Sequence, residues 1–185
     1  MTDSRTRSVV LGIDPGTAVT GFGVVASGPR ATTTRMELVA CGAIRTSRGR
    51  SLHQRLYEIH QEVCTLIDHY SPTAMSLESA FHGRNARSAL TLGQARGAIV
   101  VAAVGRGLAV AEYAPAQIKR AVAGSGTATK EQVAFMVRSH LGLAADPTPS
   151  DAADGVAAAL CHHFRAPLVP VGGVDRPTGA GRVSP

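Results

Sequence analysis

Acidic residues are scarce in this chain, 13 Asp and Glu among 185 residues, and four of them fall where chemistry can be done. Asp14 follows the apolar run Val9-Val10-Leu11-Gly12-Ile13, Glu78 closes the short run AMSLE, and Asp151 and Asp154 lie three apart in PSDAADGVAAAL. Residues i and i+3 share a helix face, so the last two point the same way on a helix. Crowded carboxylates repel unless cations hold them. Hard oxygen ligands with open positions suit Mg²⁺ or Mn²⁺, which keep several waters and accept phosphate oxygens. Each acid also has a plainer role open to it. Asp14 can open an Asp-Pro-Gly turn, Asp151 can form a capping box with Thr148, Asp154 can favour the positive end of a helix dipole, and Glu78 can be a solvated strand terminus.

Bringing the four together requires strands that end at Asp14 and Glu78 and a helix that lies over those ends. The pattern supplies both. Val9 to Ile13 reads as a buried strand, Gly21 to Ala26 as a second and Met36 to Thr46 as a third, with Gly28-Pro29 and Thr32-Thr33-Thr34 as a hairpin loop. Leu52, Leu56, Ile59, Val63 and Leu66 or Ile67 recur at helical spacing, with Ser51 as N-cap and Pro72 beyond the end. Ala74 to Glu78 is a fourth strand, Asn85 to Val104 a second long helix and Leu108 to Tyr113 a fifth strand. Shorter helices follow at Ala116–Val122 and Thr129–Ser139, and a last one from about Pro149 to Phe164. Three strands followed by alternating helix and strand predict an α/β fold with a five-stranded mixed sheet, its first three strands antiparallel, flanked by helices. In open α/β sheets ligands gather beyond the strand ends.

One domain is expected at this length, over residues 8–164, preceded by a flexible N-terminus (1–7) and followed by a disordered Pro/Gly-rich tail (165–185). The apolar fraction of 44% excludes a wholly disordered chain. The longest pure apolar run, Ala98 to Val104, is far too short for a membrane span, and three scattered cysteines fit a reducing cytoplasm. The formal net charge is +6. Between Phe81 and Arg138 eight cations face two anions, while the remaining 11 cations and 11 anions cancel. Such a window suits a polyanionic partner, since neutralising phosphates releases counterions. Along the second long helix, Ala86, Leu90, Gly93, Gly97, Val100 and Val104 form a seam with small residues at its centre, suited to a two-fold dimer. His162-His163 is a weak metal signal, because adjacent helical residues point in different directions.

The run Gly12-Ile13-Asp14-Pro15-Gly16-Thr17, followed by Thr20-Gly21-Phe22-Gly23, resembles the opening of the RuvC family, the bacterial Holliday-junction resolvases (crossover junction endodeoxyribonucleases). Leu77 to Phe81, Asn85 to Leu90, Leu92 to Gly97, Lys130 to Val133 and Ser150 to Asp154 resemble later family segments in order. The resemblance spans about residues 8–164. It implies an RNase H-like fold, a homodimer, two divalent ions per subunit (Mg²⁺ or Mn²⁺), and paired, symmetric nicks in four-way junction DNA during recombination and repair. It also implies work alongside the RuvA-RuvB branch-migration complex. The family's four catalytic and metal-binding carboxylates fall on Asp14, Glu78, Asp151 and Asp154. Two lysines near the active site fall on Lys119 and Lys130, and the aromatic near the junction centre on Phe81. Arg84 and Arg87 complete the expected DNA-binding set. An actin- or sugar-kinase-like ATPase also opens on Asp-x-Gly but needs two such domains, for which 185 residues are too few. The nearest alternative is a related RNase H-like nuclease acting on another substrate.

Overall fold

A computed structural model describes residues 7–28, 36–79 and 86–165. The hairpin loop beyond Gly28, Phe81, Arg84 and the tail beyond Arg165 lie outside them, as do residues 1–6 of the expected flexible N-terminus. The element order is β1 (Ser8–Asp14), β2 (Val19–Ser27), β3 (Met36–Arg45), α1 (Leu52–Tyr70), β4 (Ala74–Glu78), α2 (Ala86–Val104), β5 (Val110–Tyr113), α3 (Pro115–Ala123), α4 (Lys130–Leu141) and α5 (Ser150–Arg165). Arg165 closes α5 and does not begin the tail. Arg7 pairs with Glu37 on β3 at 2.6 Å, so it too belongs to the ordered domain.

The sheet order is β3-β2-β1-β4-β5. β1 runs antiparallel to β2 and parallel to β4, and β5 is parallel to β4. The first three strands therefore form a meander and the last two arrive by helical crossovers, which matches the mixed sheet expected. β5 is shorter at its start than the apolar pattern implies. The amide of Leu108 donates instead to Ala103 O at 3.0 Å, closing the end of α2 around Gly107, whose φ of 70° is left-handed.

Each face of the sheet carries its own core. On one, Leu11, Ile13, Met75 and Leu77 pack with Ile59 and Val63 of α1 and Ile99 and Ala102 of α2. On the other, Val10 and Val25 meet Ile118 and Val122 of α3, Val133 and Val137 of α4, and Val156 and Leu160 of α5. α5 lies against β1 and β2 at backbone distance. A Cβ on Gly21 would sit 1.9 Å from Asp151 O, and one on Gly155 would sit 2.5 Å from Phe22 Cα. Gly12 and Gly23 face α5 under the same constraint. From β4, the buried Ser76 hydroxyl donates to Ala158 O at 2.6 Å, fixing the helix along its length.

Gly21→Ala pushes a methyl group into the first turn of α5 and is expected to cost about 1–3 kcal/mol by overpacking. Gly49→Ala, where a Cβ meets nothing within 4 Å, should be near neutral; thermal melts of the two variants beside the parent check the contrast.

Candidate active site

Asp14 ends β1 opposite Gly21 of β2. The chain then turns sharply through Pro15 and Gly16, and the buried Thr20 hydroxyl donates to Gly16 O at 2.7 Å while the Gly16 amide reaches Thr20 Oγ1 at 3.3 Å. Glu78 ends β4 opposite Tyr113, and Ser79 N donates to Tyr113 O at 2.9 Å. Because β1 and β4 are parallel, both carboxylates emerge at the same edge of the sheet. Asp151 and Asp154, in the opening turns of α5, are carried to that edge by the glycine contacts.

The electrostatics report how close this convergence is. Burial pushes the Asp14 carboxyl up to about 6, helped by Asp154 and Asp151 and opposed by Lys130. Burial likewise lifts Glu78 to about 7, with Asp14 and Asp154 adding to the rise and Lys119 and Lys130 opposing it. Lys130 donates to Asp154 Oδ2 at 2.8 Å, and this bond raises the lysine's own pKa. Asp14, Glu78 and Asp154 thus form the inner group. Asp151 stands at its rim, 40% exposed, with Arg45 Nη2 4.0 Å from its Oδ2. Among the described residues the acids are not drawn into a closed cage of three or more metal-binding side chains.

Lys119, on α3, and Lys130, at the start of α4, both lie close enough to Glu78 to stabilise its charge. Arg87 is exposed in the first turn of α2. Its neighbours in the expected set, Phe81 and Arg84, are outside the described residues. The histidine pair is structural. His162 Nδ1 meets Tyr113 Oη at 3.0 Å and His163 Nε2 meets Val25 O at 3.0 Å. The three cysteines are free thiols. Arg45 sits in an arginine-rich stretch that the sequence does not tie to the acids; its place beside them appears once β3 pairs with β2, bringing Arg45 opposite Val19 beyond the Asp14 turn.

Residues 10–162 match the family model described as crossover junction endodeoxyribonuclease RuvC. The chain belongs to the RuvC family. A Pseudomonas aeruginosa crossover junction endodeoxyribonuclease RuvC is 49% identical over 177 residues, covering 95% of this chain and 98% of that protein. The RuvC of Pseudomonas entomophila is 50% identical over 166 residues, 89% and 92% of the two chains. The Thermus thermophilus RuvC structure in complex with Holliday junction substrate superposes with a TM-score of 0.78 at 40% identity, over 85% of this chain and 93% of that one. The yeast mitochondrial Holliday junction resolvase Ydc2, at 12% identity and a TM-score of 0.60, covers 83% and 78% and shares the fold. The expected RNase H-like architecture of this RuvC-family chain is therefore met. No helix of the described residues is long and apolar enough to cross a membrane.

The raised carboxyls carry a pH signature. Asp14 and Glu78 hold protons more tightly when folded than at their ordinary values of 3.8 and 4.5. The folded chain therefore binds more protons between about pH 4 and 7, and the contribution of these groups to stability falls as pH rises through that window. Discounted for partial exposure, Glu78→Gln should relieve on the order of 2 kcal/mol at pH 8. For a chain of this length that is a rise in melting temperature of roughly 4–8 °C. Melts in chelator should show the gain at pH 8 and its disappearance near pH 4.

Proposed function

We propose that this chain resolves four-way DNA junctions by paired, symmetric, metal-dependent hydrolysis. The observation that carries the reading is the convergence of Asp14, Glu78 and Asp154, with Asp151 at the rim, at the carboxyl edge of the sheet beside two lysines. Such a donor set is all hard oxygen, and the raised carboxyls of Asp14 and Glu78 mark a place where negative charge is held at a cost. It fits divalent cations, Mg²⁺ or Mn²⁺, better than any neutral ligand. Asp14, Glu78, Asp151 and Asp154 would hold two such ions. Asp14, Glu78 and Asp154 would supply the inner ligands, and Asp151 would supply a further ligand or position the water. When bound, the ions lower the pKa of water and neutralise charge on the phosphate and the leaving oxygen.

The chain's own residues do the rest. Lys119 and Lys130 flank Glu78 and neutralise the non-bridging oxygens of the scissile phosphate. Water forms the new bond to phosphorus, the bond to the 3′ oxygen breaks, and the departing oxygen takes a proton. A 5′ phosphate and a 3′ hydroxyl result. Phe81, Arg84 and Arg87, at and before the start of α2, are proposed to meet the junction away from the cut.

Two symmetric nicks need two equivalent sites. On α2, Leu90 and Val104 are 67% and 61% exposed, and Ala86, Gly93 and Gly97 are exposed beside them. Of the seam read from sequence only Val100 turns inward, partly buried against the core, and the adjacent Val101 takes its place at 62% exposure. That outward apolar stripe is the proposed homodimer contact. Work alongside the RuvA-RuvB branch-migration complex, in the cytoplasm, completes the proposal.

Asp14→Asn should retain junction binding and lose cleavage, read by nick mapping on a mobile four-way junction. Mg²⁺ or Mn²⁺ at pH 8 should raise the parent's melting temperature, by linkage, and move that of Asp14→Asn far less. Turnover by Asp14→Asn near the parent's would overturn the metal assignment. Leu90→Arg should convert a sedimenting dimer to monomer at micromolar concentration and uncouple the paired nicks; a monomeric parent would remove the dimer from the reading.

A further inference from the structure

The end of β3, the connection to α1 and the first turn of α1 carry Arg45, Arg48, Arg50 and Arg55, four arginines without an acid in eleven residues. We infer that this loop is a second phosphate-binding surface, which grips the DNA strand on the side of the carboxylate site opposite to Lys119. The inference rests on the junction-cleaving reading above and extends it.

Three observations carry it. The loop is held firmly against the turn that follows Asp14. Arg55 Nε donates to Thr46 Oγ1 at 2.9 Å, and the Thr46 hydroxyl donates on to Thr17 O at 2.8 Å. Arg55 Nη2 donates to the same Thr17 carbonyl, and Thr46 N donates to Ala18 O at 3.2 Å. Behind the loop, Glu58 accepts from Ser47 N at 3.0 Å and pairs with Arg50 Nε at 3.0 Å. Arg55 and Arg50 are thus spent on holding the loop.

Arg45 and Arg48 are not spent in that way. Arg45 is 60% exposed, with only the distant 4.0 Å approach to Asp151, and Arg48 is exposed and enters none of the ion pairs among the described residues. Gly49 beside it has open space on its Cβ side, so a partner's backbone can come close.

The third observation is placement. β3 is one edge of the sheet and β5 the other, and α3 follows directly from β5, bearing Lys119. A strand crossing the carboxyl edge of the sheet therefore leaves Lys119 on one flank, passes the acids with Lys130 among them, and meets Arg45 and Arg48 on the other. Arginine presents a planar fork that matches a phosphate. An acidic protein would meet the same arginines but would also have to lie against Asp14, Glu78 and Asp151, which favours DNA held across metal-neutralised acids.

The test measures binding of a four-way junction by full-length Asp14→Asn protein, with and without Arg48→Ala, Arg48→Lys or Arg48→Glu, across 50 to 200 mM salt. Arg48→Ala should lower the slope of log affinity against log salt by about 0.9, the loss of one phosphate contact. Over that fourfold range of salt the background protein then loses about 3.5-fold more affinity than the Arg48→Ala variant. Arg48→Lys should keep the slope and Arg48→Glu should weaken binding further. Single methylphosphonate substitutions beside the nick should reveal one phosphate whose neutralisation weakens the background protein and leaves Arg48→Ala unchanged. Slopes equal to the background in Arg48→Ala and Arg48→Glu, with unchanged melts, overturn the inference. A parent that neither binds nor cuts the junction overturns the junction reading instead, so the two failures are distinguishable.

Discussion

The site depends on how closely one helix can approach one pair of strands. α5 reaches β1 and β2 with almost no side chain between the backbones, because Gly12, Gly21 and Gly23 on the strands and Gly155 on the helix leave the space free. Ordinary helix-on-sheet packing interposes a layer of side chains; here that layer is missing at the helix start. Asp151 and Asp154 are consequently lowered to the level at which Asp14 leaves β1. Ala157, Ala158 and Ala159, all buried, keep the rest of α5 close, and the Ser76 bond to Ala158 O sets its position along the sheet. The arrangement of the acids is thus a consequence of packing, and a single added methyl group acts on both.

The same proximity creates the cost. Asp14 and Glu78 are mostly withdrawn from water and feel the negative charge of neighbouring acids, so both resist ionisation. Lys130 relieves one corner through Asp154 and Arg45 the rim through Asp151. A carboxyl whose ionisation is held back by its surroundings is a poor choice for stability and a suitable one for holding cations that arrive with a phosphate. Most of the fold's polar groups lack this tension. The histidine pair, for example, is occupied by Tyr113 and a backbone carbonyl.

Much of this was legible in the sequence, for identifiable reasons. Asp14 and Glu78 were found because apolar runs with abrupt ends mark buried strands, and Asp151 with Asp154 because a spacing of three fixes a helix face. Element boundaries followed where the stop signals are local: Ser51 caps α1 through a capping box with Gln54, and Thr129 caps α4 in the same way with Gln132. Other features depend on contacts between distant segments. The glycines of β1 and β2 read as ordinary strand residues until α5 lies on them. Val100 shares its spacing with a seam but turns inward, because α2 must also cover Ile59 and Val63 of α1. The split between an inner trio and a rim aspartate needed Arg45, which only strand pairing brings near.

Net charge illustrates the limit of averaging. Outside the window from Phe81 to Arg138 the cations and anions cancel, and by that count the β3–α1 connection appears neutral. In space its arginines do not cancel: the acids that balance them in the tally lie elsewhere, apart from Glu58 beneath the loop and Asp151 at the rim. Along the carboxyl edge, from β5 to β3, the fold presents Lys119, then the acids with Lys130 bonded among them, then Arg45 and Arg48. A polyanion is attracted at both flanks and repelled in the middle, so its central phosphate is tolerated only where divalent charge accompanies it. In the proposed reading the arginines at the β3 flank bind without taking part in cleavage, so a change in the acids need not weaken the grip that this flank supplies.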